Sequence, residues 1–435
     1  MTISEKHRRK RRKHSHGKRN TVPIDRLTDL PDSVICHILS FLSTQESVAT
    51  SILSRRWRYL WSYVPNLLFR NENQGTIDRV ISLHKLQTIN SFSIRKDDWE
   101  NDQLDSLDAF AAFAVGRNVQ KIDLYFYCEE PLPRCLFTCK TLVFLSLNCC
   151  GLVVVSSVAC LPRLKILRLM NLDYEADECI PNLISGCPVL EELTIKSDGD
   201  MDYCNVSSPT IKKLFLDYHG GRANMLEINI PSLEYLKIHD SFTENIKCGV
   251  LTSLTEANII LYRDDTKEDH YLCSRSLLEF LDNFCKVRCL ELNLAYCTKI
   301  IDSVLSTWTT KFHNLTKLEL TTDCRFLPKF LENADNLEIL IFSESNEEMK
   351  YWKEPPQQVP TCVLSHLRII KLVWICGNEQ ELEIIKYLLR NAKVLEMMEI
   401  TYSQFLDSGK IVNMLTNISR FQRGSAACEV AFFPA

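Results

Sequence analysis

The sequence predicts an α/β chain: a short unit of three small helices, then a solenoid of irregular repeats with parallel strands on its concave face, closed by a C-terminal cap. Three observations predict it. Between residues 30 and 61 large apolar residues recur at helical spacing. From residue 119 onward the phrase L-x-x-L-x-L returns repeatedly, at intervals that lengthen toward the C-terminus. Near the C-terminus a strand, helix, strand pattern replaces the simple repeat.

With 435 residues, 46% hydrophobic and 24% charged, the chain has an ordinary globular composition and enough length for several domains or one extended array. The net charge of -4 conceals an asymmetry. Nine Lys/Arg and one Glu fall within the first twenty residues, leaving 42 basic and 54 acidic side chains in the remainder. Such a body argues against nucleic-acid binding by the folded part. Residues 1–23 are expected to form a disordered basic tail, because its block of like charge repels itself. Within it Arg8, Arg9, Lys10, Arg11, Arg12 and Lys13 are candidates for a nuclear-localisation signal, so the expected location is intracellular, in the nucleus, the cytoplasm or both. Nineteen cysteines, an odd number without a secretory signal or any C-x-x-C pair, read as reduced thiols, with no metal site.

Residues 24–67 form the first unit. Leu30-Pro31 opens a helix, since proline is tolerated in a first turn, and Ile35, Ile38, Leu39 and Leu42 make one apolar stripe. Ser43 and Glu46 match a capping box for a second helix carrying Val48, Ala49, Ile52 and Leu53 on its inner side. A third begins near Ser54, with Arg55 and Arg56 exposed and Trp57 and Trp61 on one face. About forty residues cannot bury so many apolar groups among themselves, so a partner must cover the excess.

The Leu30-Pro31 start, the block Ile38-Leu39-Ser40-Phe41-Leu42 and the run Leu53-Ser54-Arg55-Arg56-Trp57 closely resemble the F-box, which docks on the Skp-type adaptor of a cullin–RING ubiquitin ligase. The resemblance implies that Leu30, Pro31, Ile35, Ile38, Leu39, Leu42, Val48, Leu53 and Trp57 divide between the module's core and the adaptor-facing surface. Sequence does not sort the two sets.

Residues 68–115 read as a linker leading into the array, with His84, Leu86, Ile89, Phe92 and Ile94 suggesting pieces of strand or helix. The repeats occupy 116–345. Their strand phrase runs from Val119/Ile122/Leu124 through Leu142/Leu145/Leu147 to Leu233/Leu236/Ile238, and less regularly to Leu395/Met398/Ile400, with Ala257 replacing one middle leucine. Early intervals are about 21 to 26 residues, and a few later ones reach about 30 or more. Alternate strand residues point inward, and each repeat buries its leucines only against its neighbours. The pattern resembles the irregular leucine-rich repeats of plant F-box proteins. Residues 141–162 carry no charge, yet the phrase at Leu142 lies in register within them, which favours buried strand over a membrane span.

Residues 346–402, with Trp352, Pro355, Pro360, Gly377 and an amphipathic helix over Leu382 to Leu389, resemble the FBD region that follows such repeats in plant F-box proteins. They depart from it at Cys376, where an aromatic is usual, and at Val363. Residues 403–435 are a C-terminal extension.

No phosphate-cradling, nucleophile-elbow or zinc-protease motif is present. The polar cluster Asp264–His270 has no ligand spacing and reads as a solvated loop, and His270 with Cys273 lacks a third orienting group. The expectation is a non-catalytic protein without cofactor or membrane contact. What the resemblance implies is the substrate-recognition subunit of an SCF-type ligase, expected to hold a Skp-type adaptor and through it a cullin, with an unidentified protein target on the repeats. The other reading is a leucine-rich-repeat scaffold or ligand-sensing binding protein outside ubiquitin ligases.

Overall fold

The computed structural model describes residues 29–97, 107–155, 159–199, 201–218, 223–240, 245–262, 277–295, 308–344, 358–404 and 406–435. The basic run at Arg8–Lys13, the polar cluster Asp264–His270 and Cys273 lie outside them.

Among the described residues, fifteen strands form one all-parallel sheet whose spatial order is their order in the chain. The middle residues of the repeat phrases stand side by side: Leu145 pairs with Leu167, Leu167 with Leu193, and the row continues through Leu214, Leu236, Ala257, Leu290, Leu318, Leu340 and Ile370 to Met398. Every phrase buries its apolar positions. This is the α/β leucine-rich solenoid, with helices ahead of it. The sheet begins before the first phrase read from sequence, with strands Asn66–Arg70 and Ser91–Arg95, and ends after the last, with Glu429–Pro434.

Parallel neighbours need crossovers, and these differ along the array. Helices serve at Gln74–Leu83, Leu107–Gly116 and Cys179–Ser185. In the next three repeats the crossover is itself a strand, Met201–Ser207, Ala223–Asn229 and Asn245–Cys248, forming a second parallel sheet. There the apolar period is two, with Cys204, Val206, Leu226 and Ile228 all fully buried.

Asn71, Cys149 and Asn171 leave their strands in the left-handed conformation at φ 53°, 55° and 51°. Their N–H groups donate to the carbonyls of Arg95, Met170 and Lys196 on the next strand at 2.8 to 2.9 Å. Asn suits the position because its short polar side chain tolerates positive φ. Residues 141–162 supply the strand Phe144–Asn148, and no described helix is long and apolar enough to cross a membrane.

The C-terminal region has the strand, helix, strand order read from its sequence: Ile369–Ile375, Glu379–Asn391 and Met397–Tyr402. A capping box between Asn378 and Glu381 starts the helix. The Glu381 carboxylate, itself buried, also accepts from the backbone N–H groups of Cys376 and Gly377 at 3.0 and 2.6 Å.

Candidate functional site

The first helix runs from Asp32 to Leu39 with Pro31 at its N-cap, whose carbonyl accepts from the N–H groups of Val34 and Ile35. Arg56 fixes this start. Its guanidinium lies 2.6 Å from the Asp32 carboxylate and also donates to the Leu30 carbonyl. Ser43 and Glu46 form the capping box of the second helix, Thr44–Ala49. The third element is a 3-10 helix, Trp57–Tyr63.

Two corrections to the sequence reading follow from burial. The predicted single stripe on the first helix splits, because Ile35 and Leu39 point inward while Ile38 points out. The inner side of the second helix is Thr44 and Ser47 with Val48 half-buried, whereas Ala49, Ile52 and Leu53 are exposed. The first helix is apolar on two faces, of which periodicity assigns only one, and the second buries two hydroxyl residues, which an apolar pattern does not register.

The nine residues carried by the F-box resemblance are thereby placed. Ile35, Leu39 and Trp57 form a small core with Leu60 and Val64, and Leu30 and Leu42 pack against its margin. Val48 packs instead against the large core of the array. Pro31, Ile38 and Leu53 are exposed. Ile52, read from sequence as inward, is 88% exposed and joins this surface, and two further members stand outside the nine candidates: Val34 and Phe41, the latter 77% exposed. Their signal was present, since Val34, Ile38 and Phe41 stand at i, i+4 and i+7, a second apolar row beside the first.

The two tryptophans of the 3-10 helix join different cores. Trp57 belongs to the small one and Trp61 to the continuous core of the array. Thr44 completes the junction by accepting the Leu68 N–H at 2.8 Å, on the first strand of the sheet. The helical unit thus covers an edge that would otherwise be open to pairing. Behind it, His84 is buried with Nε2 2.9 Å from the Val64 carbonyl, and Arg117 donates to the carbonyls of His84 and Leu86.

The outward side chains of this surface are mostly apolar, with the exposed His37 ring against Phe41. Among the described residues no cluster of three or more His, Cys, Asp or Glu is arranged to hold a metal. Burial pushes the thiols of Cys187, Cys248 and Cys362 up to about 12, which keeps them protonated and poorly nucleophilic at neutral pH. The arrangement suits protein docking: two short helices and the turn after them present large apolar side chains to solvent.

Comparison with known proteins gives three family matches along the chain. The F-box domain matches residues 27–69, the repeats of the FBD-associated F-box protein At5g56370 match 107–259, and the FBD matches 354–400. The chain is 30% identical over 453 residues to F-box/FBD/LRR-repeat protein At4g00160 of Arabidopsis thaliana, with 94% of each chain covered. It is 29% identical over 437 residues to F-box/FBD/LRR-repeat protein At5g56420 of the same plant, covering 94% of this chain and 99% of the relative.

Proposed function

The chain belongs to the family of F-box/FBD/LRR-repeat proteins, and on that premise we propose that it is the substrate-recognition subunit of an SCF-type cullin–RING ubiquitin ligase. Its F-box docks on a Skp-type adaptor and through it a cullin, and its repeats hold a target protein. Ubiquitin transfer is the work of other subunits, to which this chain contributes proximity.

The observation that carries the reading is the outer apolar surface of the helical unit. The small core is already complete with Ile35, Leu39, Trp57, Leu60 and Val64, and Trp61 and Val48 are taken up by the array. Pro31, Val34, Ile38, Phe41, Ile52 and Leu53 remain turned outward. An external partner is what gives them a role, and we assign them the adaptor-facing surface. Of the nine candidates, Ile35, Leu39 and Trp57 then hold the module's shape. The target contacts the sheet face that alternates with the buried leucines, where Phe144, Arg168, Phe215, Tyr235 and Glu291 are half-exposed. Arg8 to Lys13 serve as the nuclear-import signal.

Co-purification tests the proposal. Ile52→Lys with Leu53→Lys changes only exposed positions, so the chain is expected to fold normally and to lose captured Skp-type adaptor by about tenfold or more, as for hot-spot residues. Undiminished capture by the folded variant would sink the assignment.

A further inference from the structure

A cleft of about 730 Å³ opens beside the third to fifth strands of the sheet, outside the F-box surface. Its floor includes Pro131, Leu152 and Val154, where the short strand Leu152–Val153 bridges to Pro131 on one side and pairs with Asp173–Tyr174 on the other. Gly151, at φ 120°, lets this floor approach the preceding turn, since a Cβ there would lie 2.3 Å from the Glu130 carbonyl oxygen. The walls are apolar at Leu107, Tyr127 and Leu132, and the rim carries Asp108, Glu130 and Glu175 against the single cation Arg134. All three carboxylates are exposed, and none is in an ion pair among the described residues. The volume is in the range of built binding sites, and the excess of negative charge selects a basic occupant.

We infer that this cleft is the intramolecular docking site of the chain's own basic segment, Lys6 to Lys13. Charge is the first argument. Seven of those eight residues are Lys or Arg, within a chain whose remainder is acidic. Reach is the second. The described chain starts at Asp29 in the F-box, which caps the first strand. The fifteen residues between Lys13 and Asp29 span at most about 50 Å when extended. The third to fifth strands lie about 10 to 20 Å along the sheet from the first, at about 4.8 Å per strand. The aromatic ring of Tyr127, half-exposed on the cleft wall, adds a surface for cationic side chains. Docking there withdraws the segment from any other receptor, and rising salt releases it.

The test uses the full chain. Zero-length carbodiimide coupling of Lys to carboxylate is expected to join Lys6, Lys10 or Lys13 chiefly to Asp108, Glu130 and Glu175. In low salt, Asp108→Asn with Glu130→Gln and Glu175→Gln is expected to speed tryptic cleavage within residues 6–13 about fivefold or more, because cleavage tracks the released population. Neutralising Glu256, Glu319 and Glu429 together is expected to leave that rate unchanged. Couplings spread over other acids, or equal cleavage in both variants and the parent, overturn the inference. So does a cleft that binds a basic peptide added separately while tail cleavage ignores the cleft variant, which would make the occupant an external protein.

Discussion

At the scale of single residues, buried polar groups set the sharpest constraints. Glu381 is a carboxylate inside the C-terminal region that accepts from three consecutive backbone N–H groups, at Cys376, Gly377 and Asn378. Glu381→Ala removes the acceptor and leaves those donors unpaired, so a loss of about 2 to 4 kcal/mol in denaturant unfolding is expected. A loss below about 1 kcal/mol would mean that water replaces the carboxylate at little cost. Burial, ahead of every other cause, raises the carboxyls of Glu381 and of nearby Glu344 above the ordinary range. A raised acid binds its proton more tightly in the folded state. The stability it contributes is therefore greatest at low pH and is lost as pH rises from the unfolded value through the folded one. Glu344→Gln, which cannot titrate, is expected to flatten the stability profile on the acidic side of neutrality, and an unchanged slope there would show that Glu344 is solvated when folded. Gly151 is constrained by space and φ together. Gly151→Ala is expected to cost more than the about 1 kcal/mol of an ordinary backbone change, as measured by thermal unfolding.

At the scale of elements, the decisive contact is the one that joins the F-box to the sheet. Thr44 is buried and accepts from Leu68 through its hydroxyl. Thr44→Val keeps the shape and removes the acceptor, so about 1 to 3 kcal/mol is expected to be lost. Thr44→Ser should recover most of it. Amide exchange at Leu68 reads the effect directly, and equal protection in Thr44→Val and the parent would place the junction's strength elsewhere, at Trp61. The elements most legible in the sequence were those whose environment repeats. Leu164/Leu167/Leu169 and its equivalents all face the same stacked interior, so one phrase identified them all. The strand at Leu67 and Phe69 was obscured because its phrase begins within the helical unit, at Val64, which fills the small core. The outer strands at Met201–Ser207 and Ala223–Asn229 were obscured because their apolar alternation lies between two stronger phrases. In the F-box, Ile35 and Ile38 are chemically alike and differ only in what lies opposite them. Which one faces solvent is a tertiary fact, and no spacing rule contains it.

At the scale of the whole molecule, the array is one continuous core with two unequal ends. Each repeat touches only its neighbours, so stability is a chain of local interfaces, and the ends are where it fails first. The N-terminal strand Asn66–Arg70 is covered: Thr44 takes the Leu68 N–H, Asn66 donates to the Ser40 carbonyl, and Leu67 and Phe69 are buried. Among the described residues the C-terminal strand Glu429–Pro434 pairs only with Met397–Tyr402, and it contains no fully buried residue, with Phe433 half-exposed. The open end is held by backbone pairing with one neighbouring strand and by the partial burial of Val430 and Phe432 against the array's core. Under native conditions, hydrogen exchange is expected to be fastest at Glu429–Pro434 and to slow across Met397–Tyr402 and Ile369–Ile375. The strand Asn66–Arg70 should be protected as well as the interior strands. Thr44→Val should bring it toward the behaviour of the C-terminal strand while leaving Glu429–Pro434 as it was, because eleven or more repeats of nearest-neighbour contact separate the two ends. If both ends change together in that variant, the array unfolds as a single cooperative unit, and the picture of locally coupled repeats fails for this chain.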